Sequence, residues 1–480
     1  MNNHTQVNKL GTSKIGKLMV EFSIPAIIGL VVNGLYNTID SIFIGHGVGE
    51  DGLTAVTVAM PVMILAMSLA ILIGAGGNAL AALRLGEGKS HDAEKVLGNC
   101  FTLTIIIAVA ATVAINLFMD PVLMLSGATE EAWDYSHVFM RIISLGFILQ
   151  FLGMGFNNFI RTAGDPNRAL YTMVAGTLVC IVLNYLFVMV LGWGMAGSAW
   201  ATVIGQGFSA ALVLWYFIFT KRAPFKLKAR YFRLIPRLVG SITALGAATF
   251  VLQMAMAVLS FILNNQLKLY GALDPIGSAG AIAAIGVVQR VAMFAFFPIL
   301  GVAMAAQPIL GYNYGAKNYR RVKSTLSISF VWVIVIGILF WLLVHLLPWP
   351  IVHLFGVTGE LESFTVVALQ VQMFFMPLVG LQVVVANYFQ SSGQPFRSMF
   401  VSLTRQVLYL VPLMYLLPYI AAEFPAVFGV TPLQAIYYTY PTADLLSVVT
   451  AGGMILLEFR KLNRKIRQRE GDEARAAEAT

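Results

Sequence analysis

The sequence predicts an all-α polytopic membrane protein with about twelve transmembrane helices in two pseudo-symmetric six-helix bundles. Three observations predict this fold class. The 480 residues are 58% hydrophobic and only 11% charged, with a mean hydropathy of +0.80, whereas soluble domains carry about 25% charged residues. Apolar runs recur along the whole chain, and a short sequence pattern occurs twice. A water-soluble fold is excluded, because it could not expose so little charge.

The apolar runs set the number of helices, since a helix needs about 20 apolar residues to cross roughly 30 Å of hydrocarbon. We place the predicted spans at residues 22–46, 53–83, 97–119, 135–161, 169–192, 195–219, 238–266, 279–307, 324–347, 364–392, 398–420 and 432–458. Several runs are long and rich in glycine, so we expect tilted or kinked helices.

An internal repeat organises these spans into halves. The stretch NFIRTAGDPNRA (158–169) recurs as NYFQSSGQPFRS (387–398), and the same offset relates Gly86 to Gly315. We therefore predict an N-terminal lobe at 1–220, a basic cytoplasmic linker at 221–237, a C-terminal lobe at 238–458 and a basic cytoplasmic tail at 459–480. Transporters built from parallel repeats bind substrate near the membrane midplane and work by alternating access.

The basic residues predict the orientation of the chain. Lysine and arginine gather in one set of loops, at 9–17, 84–95, 221–237 and 317–323, and in the tail, whereas the alternate loops are mostly acidic. Such a bias places both termini in the cytoplasm. It also explains the net charge of +9 without a nucleic-acid partner.

The first apolar run contains a carboxylate where lipid disfavours one. In VVNGLYNTIDSIFIG, Asn33, Asn37 and Asp40 lie on one helical face, and Tyr36 adds a phenol. A charge in hydrocarbon costs about 2.5–3.5 kcal/mol on insertion scales, so this stripe should face the protein interior. Because burial disfavours the charged form of a carboxylate, Asp40 is a candidate for proton exchange or cation binding. A fixed hydrogen-bond network that only holds helices together is the alternative.

The second half contains its own intramembrane charges. Arg290, Arg405 and Asp444 lie inside apolar runs, and buried charges persist when they are paired. We predict a charged cluster, with Arg405 and Asp444 as the first expected pair and either an architectural or a coupling role. Arg141 lies near a helix end and can reach the interface. The second-half counterpart of the first helix has no carboxylate, and its strongest mid-run polar group is Gln253.

Six segments carry a family resemblance: IRTAGDPNRA, QSSGQP, GWGMAGSAWATVIGQ, AAQPILGYNYGAKNYRRV, LTRQVLYLVPLMYLLP and YPTADLL. In this order they resemble the MATE (multidrug and toxic compound extrusion) family over about residues 15–460, and most closely its bacterial multidrug-export branch. The resemblance implies a monomeric multi-pass protein of the bacterial cytoplasmic membrane without a cofactor or metal. It also implies export of drugs and dyes driven by an inward H⁺ or Na⁺ gradient.

The resemblance also assigns site residues, and this chain departs from the family pattern at one place. It puts the coupling carboxylate at Asp40. Many members carry Asn and Asp four residues apart on the fifth helix, where this sequence has Cys180 and Asn184. Thr202 is retained, so Asp40, Asn184 and Thr202 could still form a weak cation site. Sodium prefers several oxygen ligands, so the missing carboxylate favours protons. Gln206 is a candidate cavity amide or a link to a neighbouring helix.

Together these features predict a secondary antiporter for amphipathic, mostly cationic compounds, with Asn33, Tyr36, Asn37 and Gln206 at the substrate. Proton and drug could compete for one carboxylate, or protonation could bend the first helix, where Pro25, Gly29 and Gly34 permit a kink. A flippase for a lipid-linked precursor is the alternative, although it needs a cationic cavity for its phosphate. The six histidines are scattered, so we do not expect an enzyme.

Overall fold

The computed structural model describes residues 5–126, 130–220, 223–357, 359–424 and 429–478. Within these ranges the chain forms α-helices with short 3₁₀ and π-helical turns and no strand. Ten helices are long and apolar enough to cross a membrane, and two bent helix pairs bring the number of spans to twelve. The predicted all-α fold with about twelve spans is confirmed.

The described residues of the first half form nine α-helices. Their bounds are α1 Thr5–Thr12, α2 Ile15–Gly47, α3 Glu50–Gly86, α4 Ser90–Leu117, α5 Met119–Leu125, α6 Trp133–Leu145, α7 Phe147–Thr162, α8 Pro166–Asn184 and α9 Gly194–Phe219. The α6 and α7 helices form one span with a bend of 54°. A π-helical turn, Tyr185–Val190, extends α8, and a 3₁₀ turn, Ala229–Tyr231, lies in the segment after α9.

In the second half, the part of the chain that the structure describes also forms nine α-helices. Their bounds are α10 Pro236–Gly271, α11 Gly277–Gly315, α12 Tyr319–Leu346, α13 Pro348–Leu354, α14 Glu360–Gln372, α15 Met376–Ser391, α16 Pro395–Leu403, α17 Val411–Glu423 and α18 Pro432–Glu478. The α14 and α15 helices form one span with a bend of 48°. A π-helical turn, Thr404–Leu410, joins α16 to α17.

Several predicted helix bounds were wrong, among them the two outermost. The first predicted span begins at 22, but α2 begins at Ile15, because Leu18 and Met19 are fully buried and extend the packed face. The last predicted span ends at 458, but α18 continues to Glu478. Its tail is rich in Arg, Lys, Glu and Ala, which are strong helix formers even when they face water.

The internal repeat is visible in the helix bounds themselves. The start and end of α4, α5 and α7 each recur 229 residues later as those of α12, α13 and α15. The same offset relates Gly164, with φ of 88°, to Gly393, with φ of 75°. Both glycines adopt the left-handed conformation that other residues avoid. The two halves therefore share one local architecture, as the sequence repeat predicts.

The chain divides into two compact units. The first comprises Met1–Phe250, Gln307–Lys317 and Gln390–Pro395, and the second comprises Val251–Ala306, Asn318–Phe389 and Phe396–Thr480. The start of α10 and the end of α11 therefore pack with first-half helices. The lobe bounds at 220 and 238 follow the sequence repeat rather than this packing, and they stay a prediction.

Within the first unit, glycines allow α3 and the end of α11 to pack closely. A Cβ atom at Gly86 would clash with the carbonyl oxygen of Tyr312, and a Cβ atom at Gly315 would clash with that of Leu83. The two contacts are equivalent under the repeat. Glycine at both predicted repeat positions is thus explained by close backbone approach.

Candidate functional site

The carboxylate of Asp40 receives hydrogen bonds from two neutral side chains. Asn184 donates through Nδ2 to Asp40 Oδ1 at 2.6 Å, and Ser198 donates through Oγ to the same oxygen at 3.0 Å. Asp40 lies on α2, Asn184 ends α8 and Ser198 lies on the first turns of α9. Three helices of the first unit therefore meet at this carboxylate.

The two donors are fully buried, while Asp40 itself is half-buried. Asn184 is 1% exposed and Ser198 is 0% exposed. The Oδ1 atom of Asn184 is also buried, and it has no hydrogen-bond partner among the residues that the structure describes. Leaving a buried polar atom unsatisfied costs about 1–3 kcal/mol. This oxygen is therefore available to a hydrogen-bond donor or a cation.

Sulfur contacts extend this arrangement to Thr202. Asn184 Nδ2 lies 3.9 Å from Cys180 Sγ, and Cys180 Sγ lies 3.8 Å from Thr202 Oγ1. We call Asp40, Cys180, Asn184, Ser198 and Thr202 the Asp40 cluster. The structure thus brings the three predicted coupling residues, Asp40, Asn184 and Thr202, into one cluster. Their role in ion coupling stays a prediction.

Small residues bring α8 and α9 close enough to build the cluster. A Cβ atom at Gly205 would lie 2.6 Å from Cβ of Cys180, and one at Gly176 would lie 2.7 Å from Cβ of Ser209. Small residues at such crossings let membrane helices approach each other closely. The side chains of Asn184 and Ser198 can then reach the same carboxylate oxygen.

A π-helical turn begins directly after Asn184. The N–H of Leu191 donates to the carbonyl oxygen of Leu186, five residues earlier, at 2.9 Å. Turns of this kind are frequent at functional sites, since they interrupt the regular hydrogen-bond ladder. A Cβ atom at Gly47 of α2 would clash with Val188 in this turn. The absence of a side chain at Gly47 therefore lets α2 pack against the turn.

The predicted substrate residues are less well defined. Among the described residues, the side-chain hydrogen bonds to Asp40 come from Asn184 and Ser198 and not from Asn33 or Gln206. Asn33 and Gln206 are half-buried on α2 and α9. The side chains of Tyr36 and Asn37 lie outside the described residues. The substrate role of these four residues stays a prediction.

Sequence reasoning missed Ser198, although a signal was present. Ser198 precedes Thr202 by four residues in GSAWAT, and residues with this spacing lie on the same helical face. Because Thr202 was already a candidate, the same face of α9 predicts Ser198 as well. A serine in an apolar run is common, so its residue type alone did not mark it.

The second unit contains the predicted ion pair. Arg405 donates through Nε to Oδ1 of Asp444 at 2.5 Å, and the Asp444 carboxylate is 2% exposed. Arg405 lies in the π-helical turn between α16 and α17, and Asp444 lies on α18. One turn before Asp444, the hydroxyl of Tyr440 accepts a hydrogen bond from Gln289 Nε2 at 2.9 Å.

The other predicted basic residues do not join this pair. Arg290 has an exposed side chain and forms no ion pair within the described part of the chain. Its neighbour Gln289 faces Tyr440, and one residue along a helix turns the side chain by about 100°. Arg290 therefore does not pair with Asp444 in the described residues, and its place in the charged cluster stays a prediction. Arg141 is exposed on α6, about two turns after the start of its span, and its reach to the interface stays a prediction.

The chain is similar in fold and in sequence to known membrane transporters. A solved structure of an outward-facing multidrug resistance MATE family transporter superposes with a TM-score of 0.86 at 23% identity, covering 96% of this chain and 99% of that one. Among relatives, the multidrug export protein MepA of Staphylococcus haemolyticus is 23% identical over 80% of this chain and 82% of its own length. A FAD transporter of Shewanella oneidensis is 24% identical over 85% and 89%, respectively.

The family model named MatE matches two segments, residues 25–186 and 274–416. These segments cover more than half of the chain and contain Asp40, Asn184, Arg290 and Arg405. They fall in the two sequence halves that the repeat defines. The protein therefore belongs to the MATE family of multidrug efflux transporters.

Proposed function

We propose that this protein is a secondary antiporter that exports amphipathic, mostly cationic organic compounds in exchange for protons by alternating access. It resides in a bacterial cytoplasmic membrane with both termini on the cytoplasmic side, in keeping with the distribution of lysine and arginine. One observation carries the proposal: the Asp40 carboxylate is held by two neutral donors beside a buried amide oxygen that has no partner among the described residues.

The charge of this arrangement supports an exchangeable positive occupant. Asn184 and Ser198 donate hydrogen bonds but carry no charge, so an ionised Asp40 keeps its full negative charge inside a membrane span. Such a charge is costly in hydrocarbon. Binding of a proton or of a cationic compound at Asp40 removes that cost. The carboxylate is therefore suited to exchange one positive species for another.

The Asn184 amide can hydrogen-bond to Asp40 in either protonation state, which favours the proton as the coupling ion. When Asp40 is ionised, Asn184 Nδ2 and Ser198 Oγ donate to it, as observed. When Asp40 is protonated, its O–H needs an acceptor, and rotation of the Asn184 amide would present Oδ1 to it. A hydroxyl can likewise donate or accept. The same side chains can thus satisfy both protonation states without a backbone movement.

The ligand set is less suited to sodium. Sodium is a hard cation that favours several oxygen ligands, as other hard cations do, and the Asp40 cluster has one carboxylate and a thiol, Cys180. Sulfur is a soft ligand. Within the described residues, no group of three or more His, Cys, Asp or Glu side chains converges on a metal position. Sodium remains the alternative that the experiment tests.

The same cluster supports cationic substrates rather than phosphate-bearing ones. Its five residues include a carboxylate, an amide, two hydroxyls and a thiol, but no cationic side chain. A relative named as a multidrug exporter therefore offers a closer functional parallel than the relative named as a FAD transporter, because FAD carries phosphate groups that favour arginine or lysine partners. The same reasoning disfavours a flippase for a lipid-linked precursor.

The proposal is tested with purified protein in liposomes loaded with a fluorescent cationic dye. A pH gradient and a sodium gradient are imposed separately, and dye efflux is recorded for the wild type and for Asp40→Asn. Asp51→Asn, a change of an exposed carboxylate in the same half, is the matched control. We expect efflux with the pH gradient in the wild type and the control only. Efflux driven by sodium alone, or unchanged efflux by Asp40→Asn, would contradict the proposal.

A further inference from the structure

We propose that the second unit has a binding site for the phosphate headgroup of an anionic phospholipid, apart from the transport function. The site is a cleft of about 640 Å³ between the first turns of α12 and the polar end of α18. Six of its lining side chains carry the argument: Arg320, Lys323, Ser324, Ser327, Asn463 and Arg467.

The cleft carries an excess of positive charge. Its one acidic lining residue, Glu470, accepts a hydrogen bond from Arg320 Nε at 2.9 Å. Lys323 donates to the neutral amide oxygen of Asn463 at 3.0 Å, so its ammonium keeps its charge. Arg467 is exposed on the same wall. Two of three cationic side chains are therefore not neutralised by Glu470, and an anion would be attracted to them.

Hydroxyl groups complete a set of donors that suits phosphate. Ser324 and Ser327 are three residues apart on α12, so their side chains share one helical face. Serine hydroxyls donate hydrogen bonds, and cationic donors form strong hydrogen bonds with phosphate oxygens. Cations on both helices and hydroxyls on one of them thus converge on the same space.

The adjoining surface favours a lipid over a soluble phosphate compound. One turn beyond Ser327, Val331 is 58% exposed, and on α18 Leu456 and Leu457 are 64% and 59% exposed. Between this apolar surface and the cleft, the rings of Phe330 and Phe459 pack the two helices together, with centroids 6.4 Å apart. A polar cleft that continues into an exposed apolar surface matches an amphiphile with a phosphate head and acyl chains.

The test measures lipid binding to the purified full-length protein by native mass spectrometry, with phosphatidylglycerol compared with phosphatidylcholine. Lys323→Gln with Arg467→Gln removes the two cations of the cleft. Arg464→Gln with Arg475→Gln is the matched control, because it removes the same charge from exposed positions of α18 that do not line the cleft. We expect preferential binding of phosphatidylglycerol that weakens at least about five-fold in the cleft variant and changes little in the control.

Three results would overturn the assignment. Equal weakening in the control variant would indicate general electrostatic attraction instead of a site. Displacement of phosphatidylglycerol by inorganic phosphate at the same concentration would indicate a site for free phosphate. If the cleft variant does not fold, Ser324→Ala with Ser327→Ala replaces it, and unchanged lipid binding in that uncharged variant would equally contradict the proposal.

Discussion

Asp40 in the first half and Asp444 in the second half are both carboxylates within membrane-spanning helices, but their partners differ in charge. Asp40 receives hydrogen bonds from the amide of Asn184 and the hydroxyl of Ser198. Asp444 is bound at 2.5 Å by the guanidinium of Arg405. The first carboxylate therefore keeps a net charge when ionised, whereas the second is neutralised by a fixed partner.

This difference separates two uses of a buried charge. A carboxylate without a fixed cation can bind and release a mobile one, which is what an ion-coupled transporter requires. A carboxylate that is permanently paired contributes mainly to structure, and removing its partner leaves an uncompensated buried charge. We therefore propose ion exchange for the Asp40 cluster and helix attachment for the Arg405–Asp444 pair, and the following variants test these two roles.

The largest effect is expected for Asp40→Asn. The amide is close in size to the carboxylate, but it cannot exchange a proton at neutral pH, so dye efflux should fall to the level of protein-free liposomes. Stability should be unchanged or higher, because a costly charge within a membrane span is removed. Thermal unfolding of the purified variant provides the control. Loss of transport together with unfolding would mean that Asp40 is architectural.

Asp444→Asn should show the opposite pattern. It leaves the partly buried Arg405 without a carboxylate. Because breaking a buried pair costs about 3–5 kcal/mol, the unfolding midpoint should drop sharply. The double variant Arg405→Met with Asp444→Leu should recover most of that stability, since replacing both charges by apolar residues is often neutral or favourable. If the double variant is as unstable as the single one, the pair is not the stabilising feature.

A change in coupling ion is the third expectation. Cys180→Asn with Asn184→Asp would place a second carboxylate within hydrogen-bond distance of Asp40, where Asn184 now lies at 2.6 Å, and would replace the thiol by an oxygen donor. We expect efflux to gain a dependence on the sodium gradient. Measurement of efflux at fixed pH over a range of sodium concentrations checks this. If efflux by this variant does not depend on sodium, ligands outside the Asp40 cluster determine which coupling ion is used.

A smaller effect is expected for Gly205→Ala, which tests how the first site is assembled. The new methyl group would meet Cβ of Cys180 at 2.6 Å, and overpacking of this kind typically costs about 1–3 kcal/mol. It should separate α8 from α9 and reduce efflux in part. Gly16→Ala on α2 is the matched control, because no atom lies within 4 Å of a Cβ atom there. Equal efflux in both variants would contradict the packing argument.

Much of the fold could be predicted from the sequence, because the length of an apolar run and an internal sequence repeat are properties of whole helices and not of single residues. The twelve spans and the repeat between Gly86 and Gly315 follow from patterns that extend over many residues. The two outermost helix bounds were wrong, because a helix can continue past the membrane when its residues favour helical structure, as the tail of α18 does.

The candidate sites were less predictable, since a side chain's partner depends on tertiary packing. Asp40, Arg405 and Asp444 stood out as charged groups in apolar runs, and Asn184 followed from the family resemblance. Ser198 did not stand out, because a hydroxyl is common in an apolar run. Arg290 was assigned to the charged cluster because it lies inside an apolar run, but the run does not reveal how the helix is rotated. In the structure its neighbour Gln289 hydrogen-bonds to Tyr440.

The most direct test of the central claim is whether drug binding releases protons from Asp40. Purified protein in weakly buffered detergent solution is mixed with a cationic dye, and the pH is followed for the wild type, Asp40→Asn and Asp51→Asn. The account predicts proton release by the wild type and by Asp51→Asn, and none by Asp40→Asn. Equal release by Asp40→Asn, or no release by the wild type, would contradict it.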